Sequence, residues 1–223
     1  MHVPIMVGEV LEALRPRPGD RVLDCTIGGG GHARALLDRI LPGGRLVGID
    51  VDGVELGRTE ARLRADGVGA DVFTARCWSF ADLPRLLNAE GLTHVDVLLA
   101  DLGVSSMQHD DPARGFSYKA VGPLDMRMDQ SCGQPASALI GQLSEADLAR
   151  LLDENADEPH AVLIARLLKE KPLATSHAAE KAVRLGLERA RPSSRFIPAR
   201  TGGSSTRFAR ASAPAFTRRS PTK

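Results

Sequence analysis

Four short apolar runs bounded by turn residues recur in the first hundred positions, over residues 21–25, 44–50, 70–75 and 94–101. Runs of this length between turn signals predict buried strands. Helical spacing fills the gaps between them. Leu36, Leu37, Ile40 and Leu41 share one face, Leu83, Leu86 and Leu87 share another, and Leu56 and Leu63 mark a weaker stripe over 52–65. Strand–helix alternation of this kind predicts an α/β fold with a parallel sheet and helices on its faces. Residues 102–135 break the pattern: they are rich in Gly, Pro, Asp and Ser and have no clear period, and irregular stretches of that length are often functional. Helical spacing returns over 144–190. Ser144 caps a helix carrying Leu148, Leu151 and Leu152, residues 162–168 form a second, and Thr175 or Ser176 caps a third that runs to about 190. No strand separates these three, which predicts a helical insertion or subdomain.

The densest chemical signal follows the first predicted strand: Asp24-Cys25-Thr26-Ile27-Gly28-Gly29-Gly30-Gly31-His32. Glycines between a strand and a helix let the backbone take positive φ and let a ligand approach closely. Asp50 ends the next strand, where a carboxylate can accept hydrogen bonds from both hydroxyls of a ribose. The pair predicts a nucleoside-cofactor site at the carboxyl ends of parallel strands. Two cofactor classes remain open on these residues. The stretch 28–33 fits the dinucleotide pattern with Ala33 in the last place, whereas Asp24 placed beside a methionine ammonium, with no pyrophosphate to hold, favours S-adenosylmethionine.

Asp101-Leu102-Gly103-Val104-Ser105-Ser106-Met107-Gln108 follows the fourth strand at the same edge. Asp101 reads as a pocket carboxylate or as a cap. Gln108 reads on its own as an exposed side chain, and Phe80 as core or as a ring stacked on an adenine. The Asp and Arg residues of 110–117 and 122–129 read either as a loop held by local ion pairs or as a substrate surface. No His or Cys spacing predicts a metal site.

Composition narrows the class. Hydrophobic residues make up 43% and charged residues 26% of the 223, as in soluble globular proteins. No run approaches the roughly 20 apolar residues of a bilayer span, and the first residues lack a signal-peptide pattern. Three cysteines, Cys25, Cys77 and Cys132, predict neither a disulfide framework nor structural zinc, which suits a cytoplasmic location. The net charge of +1 conceals an asymmetry: residues 191–223 hold eight basic and no acidic residues, so the preceding 190 carry −7.

Several segments together resemble the MraW/RsmH family, which methylates the exocyclic N4 of a cytidine in bacterial small-subunit (16S) ribosomal RNA. They are residues 2–5, Thr26-Ile27-Gly28-Gly29-Gly30-Gly31-His32, Gly48-Ile49-Asp50-Val51-Asp52, Asp101-Leu102-Gly103-Val104-Ser105-Ser106, Asp111-Pro112-Ala113-Arg114-Gly115-Phe116-Ser117 and Gly122-Pro123-Leu124-Asp125-Met126-Arg127-Met128. The resemblance covers roughly residues 2–190. It implies a class I, Rossmann-like methyltransferase sheet over 1–108, a helical substrate-recognition insertion over 109–190, and S-adenosyl-L-methionine as cofactor. It carries cofactor contacts to Gly30, Gly31, His32, Asp50, Phe80, Asp101 and Gln108, Phe80 by the loosest match, and implies ribosomal RNA or a ribosomal particle as partner. Asp101 is the candidate beside the transfer centre, with no general base assigned. A nucleotide- or NAD-dependent oxidoreductase and a non-catalytic RNA-binding module are the competing classes.

The chain departs from the family after residue 190. The family's later segments and strands are missing, and residues 191–223 are rich in Arg, Ser, Pro and Ala. A neighbouring reading frame over 204–210 resembles the missing segment, so a frameshift near 201–203 is expected, leaving a truncated sheet with an exposed apolar edge and low activity. A basic RNA-binding arm is the alternative reading of the tail.

Overall fold

The computed structural model describes residues 4–190. The tail over 191–223, with both its frameshift and its arm readings, lies outside the described residues, as do His2 and Val3 of the first motif. The chain divides into two compact units, the first ending at Leu102 and the second beginning at Gly103.

The first unit runs α1 (Val7–Leu14), β1 (Arg21–Asp24), α2 (Gly31–Ile40), β2 (Arg45–Asp50), α3 (Gly53–Ala65), β3 (Phe73–Cys77), α4 (Leu83–Ala89) and β4 (Val97–Leu99). The four strands form one parallel sheet in the order β3-β2-β1-β4. Each strand was expected; β3 begins three residues later than the apolar pattern suggests, because residues 70–72 turn into it, and β4 is confined to three residues. Alternation along each strand builds two cores. Val22, Leu46 and Phe73 pack with Leu36, Leu37, Ile40, Leu56 and Leu63 of α2 and α3. Leu23, Val47 and Ile49 face the other way, toward Leu86 of α4. Burial on both faces is what a parallel sheet needs, and its driving force is the removal of this apolar surface from water.

Helix α1 was not expected, although Val7, Val10, Leu11 and Leu14 recur at helical spacing; Leu11 and Leu14 pack against the first core. Leu41 leaves the face shared by Leu36, Leu37 and Ile40, since α2 ends before it and it is exposed. A buried carboxylate ties the back of the sheet. Glu90 accepts from Arg45 Nη2 at 2.7 Å and from Arg76 Nε at 2.6 Å, joining the end of α4 to β2 and β3. At the open edge, Leu98 of β4 remains 46% exposed.

The second unit holds α5 (Ser106–Asp110), α6 (Ala136–Gln142), α7 (Glu145–Ala156), α8 (Ala161–Lys169) and α9 (Ser176–Ala190). Its core joins Phe116, Leu124 and Met126 of the irregular stretch to Leu148, Leu152, Ile164, Leu168 and Val183 of the helices. The expected caps form: Ser144 Oγ accepts from Asp147 N at 3.0 Å, and Thr175 Oγ1 from Ala178 N at 3.2 Å. The loop is held by local pairs. Asp125 takes two hydrogen bonds from the Arg127 guanidinium, which hold its carboxyl below the usual carboxylate range, and Arg114 Nη2 donates to the carbonyls of Arg127 and Met128.

The unit boundary falls ahead of the expected 108/109 division. Helix α5 crosses that position, and its capping box joins Ser105 to Gln108, so residues 103–108 fold with the second unit.

Candidate functional site

The chain order and the strand order disagree at one place. Strands β1, β2 and β3 step outward in one direction, and β4 returns to the other side of β1. Ligands in open α/β sheets bind beyond the carboxyl ends of the strands at such a switch point. Two hydrogen bonds span it: Cys25 N donates to Leu99 O at 2.8 Å, and Asp101 N donates to Thr26 Oγ1 at 2.8 Å. Asp101 therefore meets the glycine loop through its backbone, while the residue itself stays exposed.

The loop is fastened from two sides. Asp50, at the end of β2, accepts from Gly28 N at 2.9 Å through Oδ2 and from Asp52 N at 2.9 Å through Oδ1. From α3, Thr59 Oγ1 donates to Gly28 O at 2.5 Å, and Arg62 donates to Gly29 O and to Thr59 Oγ1. Gly30 then opens α2 with φ +71°, and Gly31 and His32 form its first turn. A Cβ on Gly30 would sit 2.5 Å from Thr59 Cγ2, so both the space and the left-handed backbone require glycine. Gly30→Ala is expected to lower cofactor affinity about tenfold and to reduce thermal stability. Adding Thr59→Ser removes the obstructing methyl, keeps the hydroxyl that holds Gly28, and recovers part of the loss; calorimetric titration and thermal melting of both variants check this.

Three carboxylates interact at this edge. Asp24 ends β1 at 1% exposure and accepts from Thr26 N at 3.1 Å. Burial pushes its carboxyl up to about 7, against that backbone bond, and the charges of Asp50 and Asp101 push it further in the same direction. Asp50 is also raised, chiefly by burial, although backbone hydrogen bonds from Asp52 and Gly28 oppose the rise. Phe80 lies three residues past Cys77, which is the register partner of Asp50. It is 44% exposed, which corrects the core reading: Ser79 starts a short 3₁₀ turn there that leaves Phe80 outside both cores.

Of the seven predicted contacts, Gly30, Gly31, His32, Asp50, Phe80 and Asp101 all lie at or just past the carboxyl ends of the first unit's strands, in strand ends, helix starts and turns. Gln108 belongs to the second unit. It is 5% exposed, which corrects the reading of an exposed side chain: its Oε1 accepts from Ser105 N at 3.0 Å while its own N–H bonds Ser105 Oγ. Thr59 and Arg62 were missed. The signal was present, since Thr59 stands in the stripe of Leu56 and Leu63, where a fully buried hydroxyl needs a partner.

The sequence model of the MraW methylase family matches residues 1–196. The chain belongs to this family. It is 44% identical over 179 residues to Ribosomal RNA small subunit methyltransferase H of Trichlorobacter lovleyi, covering 78% of this chain and 56% of that protein. It is 41% identical over 202 residues to the protein of that name from Syntrophotalea carbinolica, covering 89% and 63%. Against Ribosomal RNA small subunit methyltransferase H 2 of Alkaliphilus metalliredigens the identity is 43% over 168 residues, covering 75% and 48%. The chain thus spans about half the length of the curated relatives it matches.

The cofactor of this methyltransferase family is S-adenosyl-L-methionine. The residues present fit it. Asp24, Asp50 and Asp101 interact at this edge, and a carboxylate-lined mouth there would suit a ligand with sulfonium and ammonium charges better than a dinucleotide's pyrophosphate.

Proposed function

We propose that the chain is an S-adenosylmethionine-dependent methyltransferase acting on small-subunit ribosomal RNA, with the exocyclic N4 of a cytidine as acceptor. The observation that carries this reading is the buried Asp24 flanked by the charges of Asp50 and Asp101 beyond β1, beside a glycine loop that Asp50 itself holds.

When bound, S-adenosylmethionine supplies a methyl group already activated by its sulfonium. The chain's task is therefore mostly placement. Asp50 accepts from the ribose hydroxyls on the lone pairs not given to Gly28 and Asp52. Asp24 balances the methionine ammonium. Gly30 and Gly31 let the backbone come close, His32 borders the loop, and Phe80 offers its exposed ring to the adenine. A cytosine amine is a weak nucleophile because its lone pair is delocalised into the ring. Asp101 accepts a hydrogen bond from that amine and localises the lone pair; the nitrogen takes the methyl as the S–CH₃ bond breaks, and its proton passes to the exposed Asp101 carboxylate and on to solvent. The base must leave its stack to reach the mouth. A ribosomal substrate in the cytoplasm is the setting this reading implies.

Transfer of a labelled methyl group to small-subunit ribosomal RNA or its particle tests the reading, with nucleoside digestion locating the methyl on cytidine N4. Single-turnover rates for Asp101→Asn are expected to fall at least about tenfold. A labelled product on another base, or no transfer with cofactor bound, contradicts the assignment.

A further inference from the structure

Asp50 holds the glycine loop from β2, and Thr59 and Arg62 hold it from α3. Its third border is the first turn of α2, which meets the segment ahead of α1 through two contacts. A Cβ on Gly31 would lie 2.5, 2.8 and 2.9 Å from Cγ, Cδ and Cβ of Pro4, so the proline ring rests where a side chain would stand. His32 Nε2 lies 3.1 Å from Ile5 O. A carbonyl only accepts, so the imidazole carries a hydrogen on Nε2 and donates this bond.

Apolar burial does not hold the segment down, since Ile5 is 72% and Met6 61% exposed. Met6 starts α1 in the left-handed conformation, φ +57°, with no side-chain cap. Methionine rarely adopts that conformation, which persists where neighbouring contacts over-determine it. The contacts of Pro4 and Ile5, immediately before it, do so here. Gly31 gives a second sign of the same arrangement. Its backbone lies outside the left-handed region, and alanine is the better helix former. The three atoms nearest an added Cβ all belong to Pro4. At Gly31, therefore, the N-terminal segment requires glycine, whereas at Gly30 the backbone and Thr59 do.

We infer that Pro4 and Ile5 form a strap across the first turn of α2, fastened by His32, and that His32 is a positioning residue whose imidazole acts on the cofactor through the strap and the loop. The strap completes the fastening of the loop on its α2 side. S-adenosylmethionine then meets a loop already ordered, and binding loses less conformational freedom. The inference rests on reading this loop as the cofactor site.

Hydrogen exchange of residues 28–34 in the cofactor-free chain, beside calorimetric titration with S-adenosylmethionine, tests it. His32→Ala is expected to speed exchange of these amides severalfold and to lower cofactor affinity about tenfold. His32→Gln, whose amide nitrogen replaces Nε2 at similar reach, keeps both within about threefold of wild type. Pro4→Gly frees the same strap, so adding it to His32→Ala brings little further loss. Gly31→Ala tests the contact by its sign. Helix propensity alone would raise the melting temperature of the free chain, whereas the strap predicts a lower one, with Pro4→Gly in the same chain restoring it. Where Gly31→Ala does not fold, the Pro4 and His32 variants decide. Losses from His32→Ala and Pro4→Gly that multiply, His32→Gln as weak as His32→Ala, or a Gly31→Ala chain that melts above wild type overturns the strap. Exchange and melting need no cofactor, so the two readings separate. A wild-type chain that binds no S-adenosylmethionine removes the cofactor-site reading, and the strap is then judged on exchange and melting. Cofactor binding with loop exchange indifferent to Pro4 and His32 removes the strap alone.

Discussion

Asp50→Ala is expected to lower affinity for S-adenosylmethionine about 100-fold, because two charge-assisted hydrogen bonds to the ribose are each worth about 1.5 kcal/mol or more. A second loss adds to the first. The same carboxylate holds Gly28 N and Asp52 N, each at 2.9 Å, so its removal also frees the loop that shapes the site. Asp50→Asn separates these effects. It keeps one accepting oxygen in nearly the same volume and is expected to lose about tenfold. Isothermal titration of both variants, with thermal melting to follow the loop, gives the comparison. Asp50→Ala binding within about twofold of wild type would remove Asp50 from the ribose contact.

Asp24→Asn is expected to stabilise the free protein at neutral pH while weakening cofactor binding. The sign follows from proton linkage. Burial raises the folded-state carboxyl from 3.8 to about 7. The native state therefore holds a proton that the unfolded chain has released between these values, and stability falls as pH rises through that window. The full effect is on the order of 4 kcal/mol at pH well above 7. Asp50, raised as well, acts in the same direction. A wild-type melting temperature that declines from pH 4 toward 8, beside a flatter profile for Asp24→Asn, is the expected result. Cofactor binding reverses the penalty, since the ligand's positive charge favours the ionised carboxylate. Parallel pH profiles for the two proteins would show that Asp24 is not the group being titrated.

Much of this arrangement was legible in the sequence because it is local. Alternating apolar runs fix strands whichever partners they find, and a glycine cluster between a strand and a helix has few other uses. Asp50 was legible from its place at a strand end. Thr59 and Arg62 were not, because their partners are carbonyls about thirty residues away on a loop whose course depends on the sheet order. Helix α1 escaped notice because its apolar residues lie beside a first turn with no capping side chain. Phe80 and Gln108 show the limit of spacing. A short 3₁₀ turn keeps one out of the core, and a capping box buries the other, and neither is set by periodicity.

The account depends on the acidic mouth of the first unit holding a sulfonium nucleoside. Calorimetric titration of the 223-residue chain with S-adenosylmethionine and, separately, with NAD measures this directly. Saturable binding of S-adenosylmethionine at one site, with no heat from NAD and a large loss in Asp50→Ala, is the predicted result. NAD binding that matches or exceeds it, or S-adenosylmethionine binding indifferent to Asp50, would contradict the account.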